Sequence, residues 1–199
     1  MAFVGNTMID TLLAFQDEID ASPIADKLGV PSGEFVLMTM HRPATVDNEE
    51  GLLKMLSIID FITQSQTLVF PIHPRTVARL KSHDFWHRLE GNERLRLSEP
   101  MDYFSFQHLI KNSAFVLTDS GGIQEETTYY QVPCITLRPN TERPSTLTLG
   151  SNVLMPLDID KITAHIHLIR SGKLKKGEIP PMWDGKASRR IVEHLRSYF

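Results

Sequence analysis

Residues 114–126 read AFVLTDSGGIQEE. An apolar run meets a small polar corner with two glycines, and two glutamates follow where a helix would begin. A short continuous apolar run predicts a strand buried on both faces. Glycines at the corner let the backbone come close to a ligand or a neighbouring element. Acidic residues suit the first turn of a helix, whose N-terminus carries partial positive charge. The stretch therefore predicts strand, turn and helix, the repeating unit of an open parallel sheet.

The same grammar recurs on either side. EFVLMTMH (34–41), TLVFPIH (67–73), LRLSEP (95–100), PCITL (133–137) and NVLMPL (152–157) join AFVLTDS (114–120) as candidate strands. Between the first two, Leu52, Met55, Leu56, Ile59 and Ile62 share one helical face, with Asp47 or Asn48 as its cap. Val77 and Leu80, with Phe85 and Trp86 as further candidates, suggest a helix after the second strand. Asp102 is placed to cap DYFSFQHLIKN, with Phe106, Leu109 and Ile110 inward. The pattern predicts an α/β fold, a doubly wound, mostly parallel six-stranded sheet of Rossmann type, in one domain spanning 1–199.

Both ends of the chain are predicted helical. NTMIDTLLAFQDEID (6–20) has helical period, SPIADKLGVPSG (22–33) reads as an irregular lead-in, and residues 186–199 predict a last amphipathic helix through Ile191, Val192 and Leu195. A helical lead-in over residues 1–30 is unusual before the first strand of a self-contained Rossmann unit, and predicts that further chain precedes it in the whole protein.

Composition narrows the function classes. With 41% hydrophobic and 23% charged residues and a net charge of −3, the chain offers no electrostatic case for nucleic acid or an anionic membrane surface. No window approaches the roughly 20 apolar residues of a membrane span. The single cysteine, Cys134, allows no internal disulfide and no thiolate cluster, which fits a cytoplasmic protein. Among eight histidines there is no HExxH pairing; His83 and His87 lack a third ligand, and His165 and His167 lie on opposed faces in either helix or strand. No metal is predicted. The serine of DSGG is in no GxSxG elbow, and the absence of GxGxxG removes the main reason to invoke a dinucleotide cofactor.

Ligands of open parallel sheets bind beyond the carboxyl ends of the strands. There the sequence places His41-Arg42-Pro43, His73-Pro74-Arg75, Asp119-Ser120-Gly121-Gly122 and Arg138-Pro139-Asn140-Thr141-Glu142-Arg143. Each group alone has an ordinary structural role, as tight turn, surface histidine or helix-dipole partner. Their coincidence at four strand ends points to a ligand edge. Gly121 and Gly122 with Ser120 suit an anion at a helix N-terminus, with Arg42, Arg138 and Arg143 as nearby cations, and hence a diphosphate. Glu125 and Glu126 have the wrong sign for phosphate, so one of them suits a ribose hydroxyl pair.

These blocks also carry a resemblance. LTDSGGIQEE, LRPNTERP followed by GSNVL, MTMHRP, FPIHPRT, DGKASRRIVEHL and the opening VGNTMIDTLL resemble the non-hydrolysing UDP-N-acetylglucosamine 2-epimerases along essentially the whole chain. The resemblance implies the second of two Rossmann-like domains in a GT-B arrangement. It implies an isomerase that interconverts UDP-GlcNAc and UDP-ManNAc for surface polysaccharide without a cofactor, commonly as a homodimer. It implies that Ser120, Gly121 and Gly122 cradle the diphosphate, Glu126 meets the ribose, Phe106 contacts uracil, and Arg42, His73 and Arg143 bind substrate. His41 would stand near the leaving diphosphate as the catalytic residue. The acid–base groups for the sugar would come from an N-terminal domain, so this chain is expected to bind UDP or UDP-GlcNAc without epimerising it. At two places the chain departs from the family pattern: HRxEN is His41-Arg42-Pro43-Ala44-Thr45, and TERPE ends in Ser145. A stand-alone UDP-sugar-binding module, a hydrolysing epimerase or another GT-B enzyme are the alternative readings.

Overall fold

The strands β1 (Phe35–Thr39), β2 (Thr67–Pro71), β3 (Leu95–Ser98), β4 (Phe115–Thr118), β5 (Cys134–Leu137) and β6 (Asn152–Met155) form one sheet in the order 3-2-1-4-5-6. All five pairings are parallel, where the sequence suggested mostly parallel. Each strand lies within its predicted run and is shorter than it by one to three residues. This is a computed structural model, and it describes residues 2–174 and 177–197.

Helices cover both faces, which is why the central strands read as unbroken apolar runs. In β1, Val36 and Met38 pack with the apolar stripe of α5 (Glu49–Thr63), while Phe35 and Leu37 pack on the opposite face. The first face is completed by α6 (Pro74–Ser82) and α10 (Ile159–Arg170), through Leu80, Ile162 and Ile166. The second is formed by α7 (Tyr103–Asn112) and α8 (Ile123–Tyr130), through Leu109, Ile110 and Ile123. Helix α10 is an addition to the elements read from the sequence; its apolar stripe is interleaved with His165 and His167.

Local chemistry sets the boundaries. Asn48, not Asp47, caps α5, its side-chain oxygen accepting the Gly51 N–H at 2.8 Å. Asp47 ends α4 (Pro43–Val46) and pairs instead with Arg75 and Arg79 on α6. Asp102 caps α7 as expected, accepting from the Ser105 N–H at 3.0 Å.

The lead-in is more ordered than its sequence suggested. The predicted helix over 6–20 breaks at Phe15 into α1 (Thr7–Ala14) and α2 (Gln16–Asp20), and the supposedly irregular stretch contains α3 (Ile24–Leu28), closed by Gly29 at φ 63°. Ile9, Leu12 and Ile19 are fully buried, α1 lying against α8 and α2 against α7. The last helix, α11 (Ala187–Arg196), lies within the run predicted to be helical. Ala187 is buried, but Val192 and Leu195 are 47% and 53% exposed, so nothing among the described residues covers that face. The predicted extension to Tyr198 and Phe199 lies outside the described residues.

Candidate functional site

In this strand order the winding direction switches between β1 and β4, and the crevice of such a sheet opens beyond their carboxyl ends. An open cleft of about 350 Å³ lies there. Its lining includes His41 after β1, His73 after β2, Phe106 and Gln107 on α7, and Ser120, Gly122 and Glu126 around the start of α8. The sheet thus brings together six of the nine residues singled out from the sequence, drawn from stretches up to 85 positions apart.

Glu126 sits under the cleft, 7% exposed. Burial raises its carboxyl above the ordinary carboxylate range; hydrogen bonding from Gln107 opposes that shift, and the neighbouring Glu125 adds to it. A buried carboxylate at a cleft wall suits neutral hydroxyl donors, which stabilise the charge that burial penalises. Glu125, the other candidate, is committed elsewhere. Its Oε2 pairs with Arg143 Nε at 2.6 Å and its Oε1 accepts from Asn6 Nδ2 at 2.8 Å, tying the lead-in to the site. Tyr103, beside Glu126, has its hydroxyl pushed up to about 12 by burial and by that carboxylate, so it enters the cleft neutral.

The remaining predicted residues lie behind the glycine corner. A Cβ on Gly121 would stand 2.8 Å from Glu142 Oε1, 3.0 Å from Arg138 Nη1 and 3.8 Å from Arg143 Nη1. Neither Gly121 nor Gly122 has a positive φ. Gly121 is therefore needed for close approach rather than for its torsions. Arg143 Nη1 pairs with Glu142 at 2.6 Å. Arg138 Nη1 lies 3.3 Å from Glu142 Oε2, yet at an angle that makes no hydrogen bond, so this buried guanidinium nitrogen has no hydrogen-bond partner among the described residues. Arg42 contributes to the field that holds the Glu142 carboxyl below its ordinary range; the largest cause there is a backbone hydrogen bond. Glu142 thus occupies the cation cluster with its own carboxylate.

Two residues essential to this geometry were not assigned a role from the sequence. Asp119 is fully buried, and its carboxylate accepts the backbone N–H groups of His41, at 3.0 and 3.2 Å, and of Arg42, at 2.8 Å. It stitches the end of β4 to the end of β1. Gln124, also fully buried, accepts at Oε1 from Thr141 at 2.7 Å and Asn152 at 3.1 Å, locking the 138–146 loop and β6 onto α8. A polar residue on the inward face of α8 was the available signal. The departures from the family pattern fall at the edge: Ala44 is exposed, Thr45 is buried within α4, and Ser145 lies in the first turn of the short helix α9 (Pro144–Thr148).

Among the described residues no group of three potential metal ligands exists and no helix is long and apolar enough to cross a membrane. Burial pushes the Cys134 thiol up to about 11, which marks it as an inert core residue.

The fold and this crevice define a Rossmann-like α/β domain with a candidate ligand edge at the β1/β4 switch point. The UDP-N-acetylglucosamine 2-epimerase family model matches residues 1–196, and the chain belongs to that family. A Methanocaldococcus jannaschii protein named UDP-N-acetylglucosamine 2-epimerase is 36% identical over 197 residues, covering 96% of this chain and 53% of its own length. The crystal structure of the Methanocaldococcus jannaschii UDP-GlcNAc 2-epimerase in complex with UDP-GlcNAc and UDP superposes with a TM-score of 0.85 at 35% identity, over 98% of this chain and 54% of that one. A Pseudomonas aeruginosa UDP-2,3-diacetamido-2,3-dideoxy-D-glucuronate 2-epimerase is 32% identical over 96% of this chain and 51% of its own. The chain spans about half the length of the curated relatives it matches.

Proposed function

We propose that this chain is the C-terminal, nucleotide-binding domain of a UDP-N-acetylglucosamine 2-epimerase. The single observation that carries the reading is the cleft at the switch point, where His41, His73, Phe106, Ser120, Gly122 and Glu126 converge in a chain of this family. In this reading Ser120, Gly121 and Gly122 hold the diphosphate of UDP, and Glu126 accepts the ribose hydroxyls. Phe106 meets the uracil ring. Arg143 exchanges Glu142 for a phosphate oxygen, and Arg42 adds positive charge. His73 binds the substrate beside His41, which stands at the departing group.

The reaction is an elimination and a re-addition. The C1–O bond to UDP breaks as C2 loses its proton, leaving a 2-acetamidoglucal and UDP. Re-addition restores the C1–O bond and returns a proton to C2 from the other face. Electrons balance without a redox partner, so no cofactor is required. Fixed donors at the diphosphate would stabilise the charge that develops on the leaving group. The groups that move the C2 proton belong, in this reading, to the length of the relatives that this chain does not span. The open apolar face of α11 is our candidate for contact with that domain. The same reading carries a homodimer as the assembly, checked by sedimentation, and a cytoplasmic location, in keeping with the single buried cysteine.

The test is incubation of the purified chain with UDP-GlcNAc. The expected result is binding without UDP-ManNAc. Conversion by the chain alone would contradict the division of labour, and release of UDP with free ManNAc would favour a hydrolysing enzyme. The Pseudomonas relative favours a second sugar as the alternative substrate, a UDP-linked diacetamido uronate, on the same nucleotide contacts.

A further inference from the structure

His41 and His73 enter the cleft side by side, ring centroids 5.5 Å apart and planes inclined by 33°. What each ring can offer a ligand depends on which nitrogen carries the proton, and that is decided by the partner of the other nitrogen.

At His73 the partner is a donor. Nδ1 accepts the backbone N–H of Arg75 at 3.1 Å, capping α6. The proton of the neutral ring is therefore on Nε2. At His41 the neighbour of Nδ1 is an acceptor, in a charge contact that falls short of a hydrogen bond. Nδ1 lies 3.3 Å from Oδ1 of Asp119, whose carboxylate is fully buried and held by the N–H groups of His41 and Arg42. A bare Nδ1 would set a lone pair against a buried carboxylate oxygen, a repulsion that low local polarity strengthens. The proton is therefore on Nδ1, and Nε2 is left with its lone pair for the cleft.

We propose that Asp119 is a positioning residue that holds His41 in its Nδ1–H tautomer, so that the two histidines face the ligand with opposite capacities. His41 presents an acceptor and proton-receiving Nε2, and His73 presents an Nε2–H donor. Taken with the nucleotide-sugar reading, on which this rests for the ligand's identity, His73 suits a phosphate or sugar oxygen. His41 suits a hydroxyl or amide hydrogen. Once His41 has received a proton, Asp119 stabilises the imidazolium, which can return that proton to a leaving oxygen. The proton thus moves between ligand and His41 Nε2.

The experiment is a long-range proton–nitrogen correlation spectrum of the uniformly labelled full chain, at alkaline pH where imidazoles are neutral, with His41→Gln and His73→Gln variants for assignment. The expected spectrum shows His41 as the Nδ1–H and His73 as the Nε2–H tautomer. In Asp119→Asn, whose amide can donate to Nδ1, His41 is expected to shift to Nε2–H while His73 is unchanged. A His41 ring in the Nε2–H form in the unaltered chain would overturn the proposal, as would a folded Asp119→Asn chain with its His41 tautomer unmoved. If that variant does not fold, the unaltered spectrum still decides. The tautomers are read without ligand, so a chain that fails to bind UDP would contradict the functional reading and leave this assignment standing.

Discussion

At the scale of single residues, the site is a set of charges whose partners determine what they can still do. Glu126 is free to meet a ligand because Glu125 has taken Arg143. Its raised carboxyl has a consequence in pH. The ionised form is disfavoured in the fold, so its cost is absent at low pH and grows as pH rises from the ordinary value of 4.5 through the raised one. Hydroxyl donors from a ribose favour the ionised form. UDP affinity should therefore fall as pH is lowered through the raised value, and Glu126→Gln should weaken binding and flatten that dependence. Titration calorimetry of both chains reads the difference, which cancels the ligand's own ionisation. Asp119 is bound by a different logic. Asp119→Ala leaves the half-buried N–H groups of His41 and Arg42 without their acceptor, and should cost about 1–3 kcal/mol. Denaturant unfolding with an unchanged slope would confirm a loss of stability rather than of compactness.

The same two residues show what a sequence discloses. The acid at 126 was legible, as one of an adjacent pair, because a glutamate after a strand–Gly–Gly corner has few ligand-facing uses. Asp119 was visible only as a strand-end residue. Its hydrogen bonds are to backbone groups 78 and 77 positions away, and the His41 ring beside it is just as distant in sequence.

At the scale of elements, the corner between β4 and α8 carries the site, and its glycines differ in kind from those elsewhere. A Cβ at Gly121 meets the ends of the Glu142 and Arg138 side chains, which can swing aside. A Cβ at Gly150 meets the backbone oxygen of Thr146 at 2.6 Å, and Thr128 as well. Gly121→Ala should leave the unfolding midpoint nearly unchanged while lowering UDP affinity, because it displaces the cation cluster. Gly150→Ala should lower stability by about 1–3 kcal/mol, the usual cost of overpacking. Equal midpoints for the two variants would contradict this placement of α9 against α8. The strands and the helices α5 and α7 were readable from apolar period and caps. Helix α10, the break at Phe15 and the order within the lead-in were not, because those segments are short or carry polar residues among the apolar ones. The exposed face of α11 shows a further limit: an amphipathic period says that a face is apolar, and not what covers it.

At the scale of the whole molecule, the sheet does two things at once. Its two apolar faces bury α5, α6 and α10 on one side and α7 and α8 on the other, and its carboxyl edge is left for chemistry. The strand order could not be read from strand patterns alone, since the central strands β1, β2, β4 and β5 are all mostly buried apolar runs. Yet reading the strand ends as one edge brought His41, His73, Ser120 and Gly122 to the same cleft before the order was known. The account makes this edge a nucleotide half-site in a chain about half as long as its relatives. Calorimetric titration of the purified chain with UDP, against a Ser120→Ala, Glu126→Ala double variant, tests that claim most directly. The account predicts micromolar to millimolar binding by the unaltered chain and its loss in the double variant. A folded, unaltered chain that binds no UDP, or a double variant that binds it equally well, would contradict it.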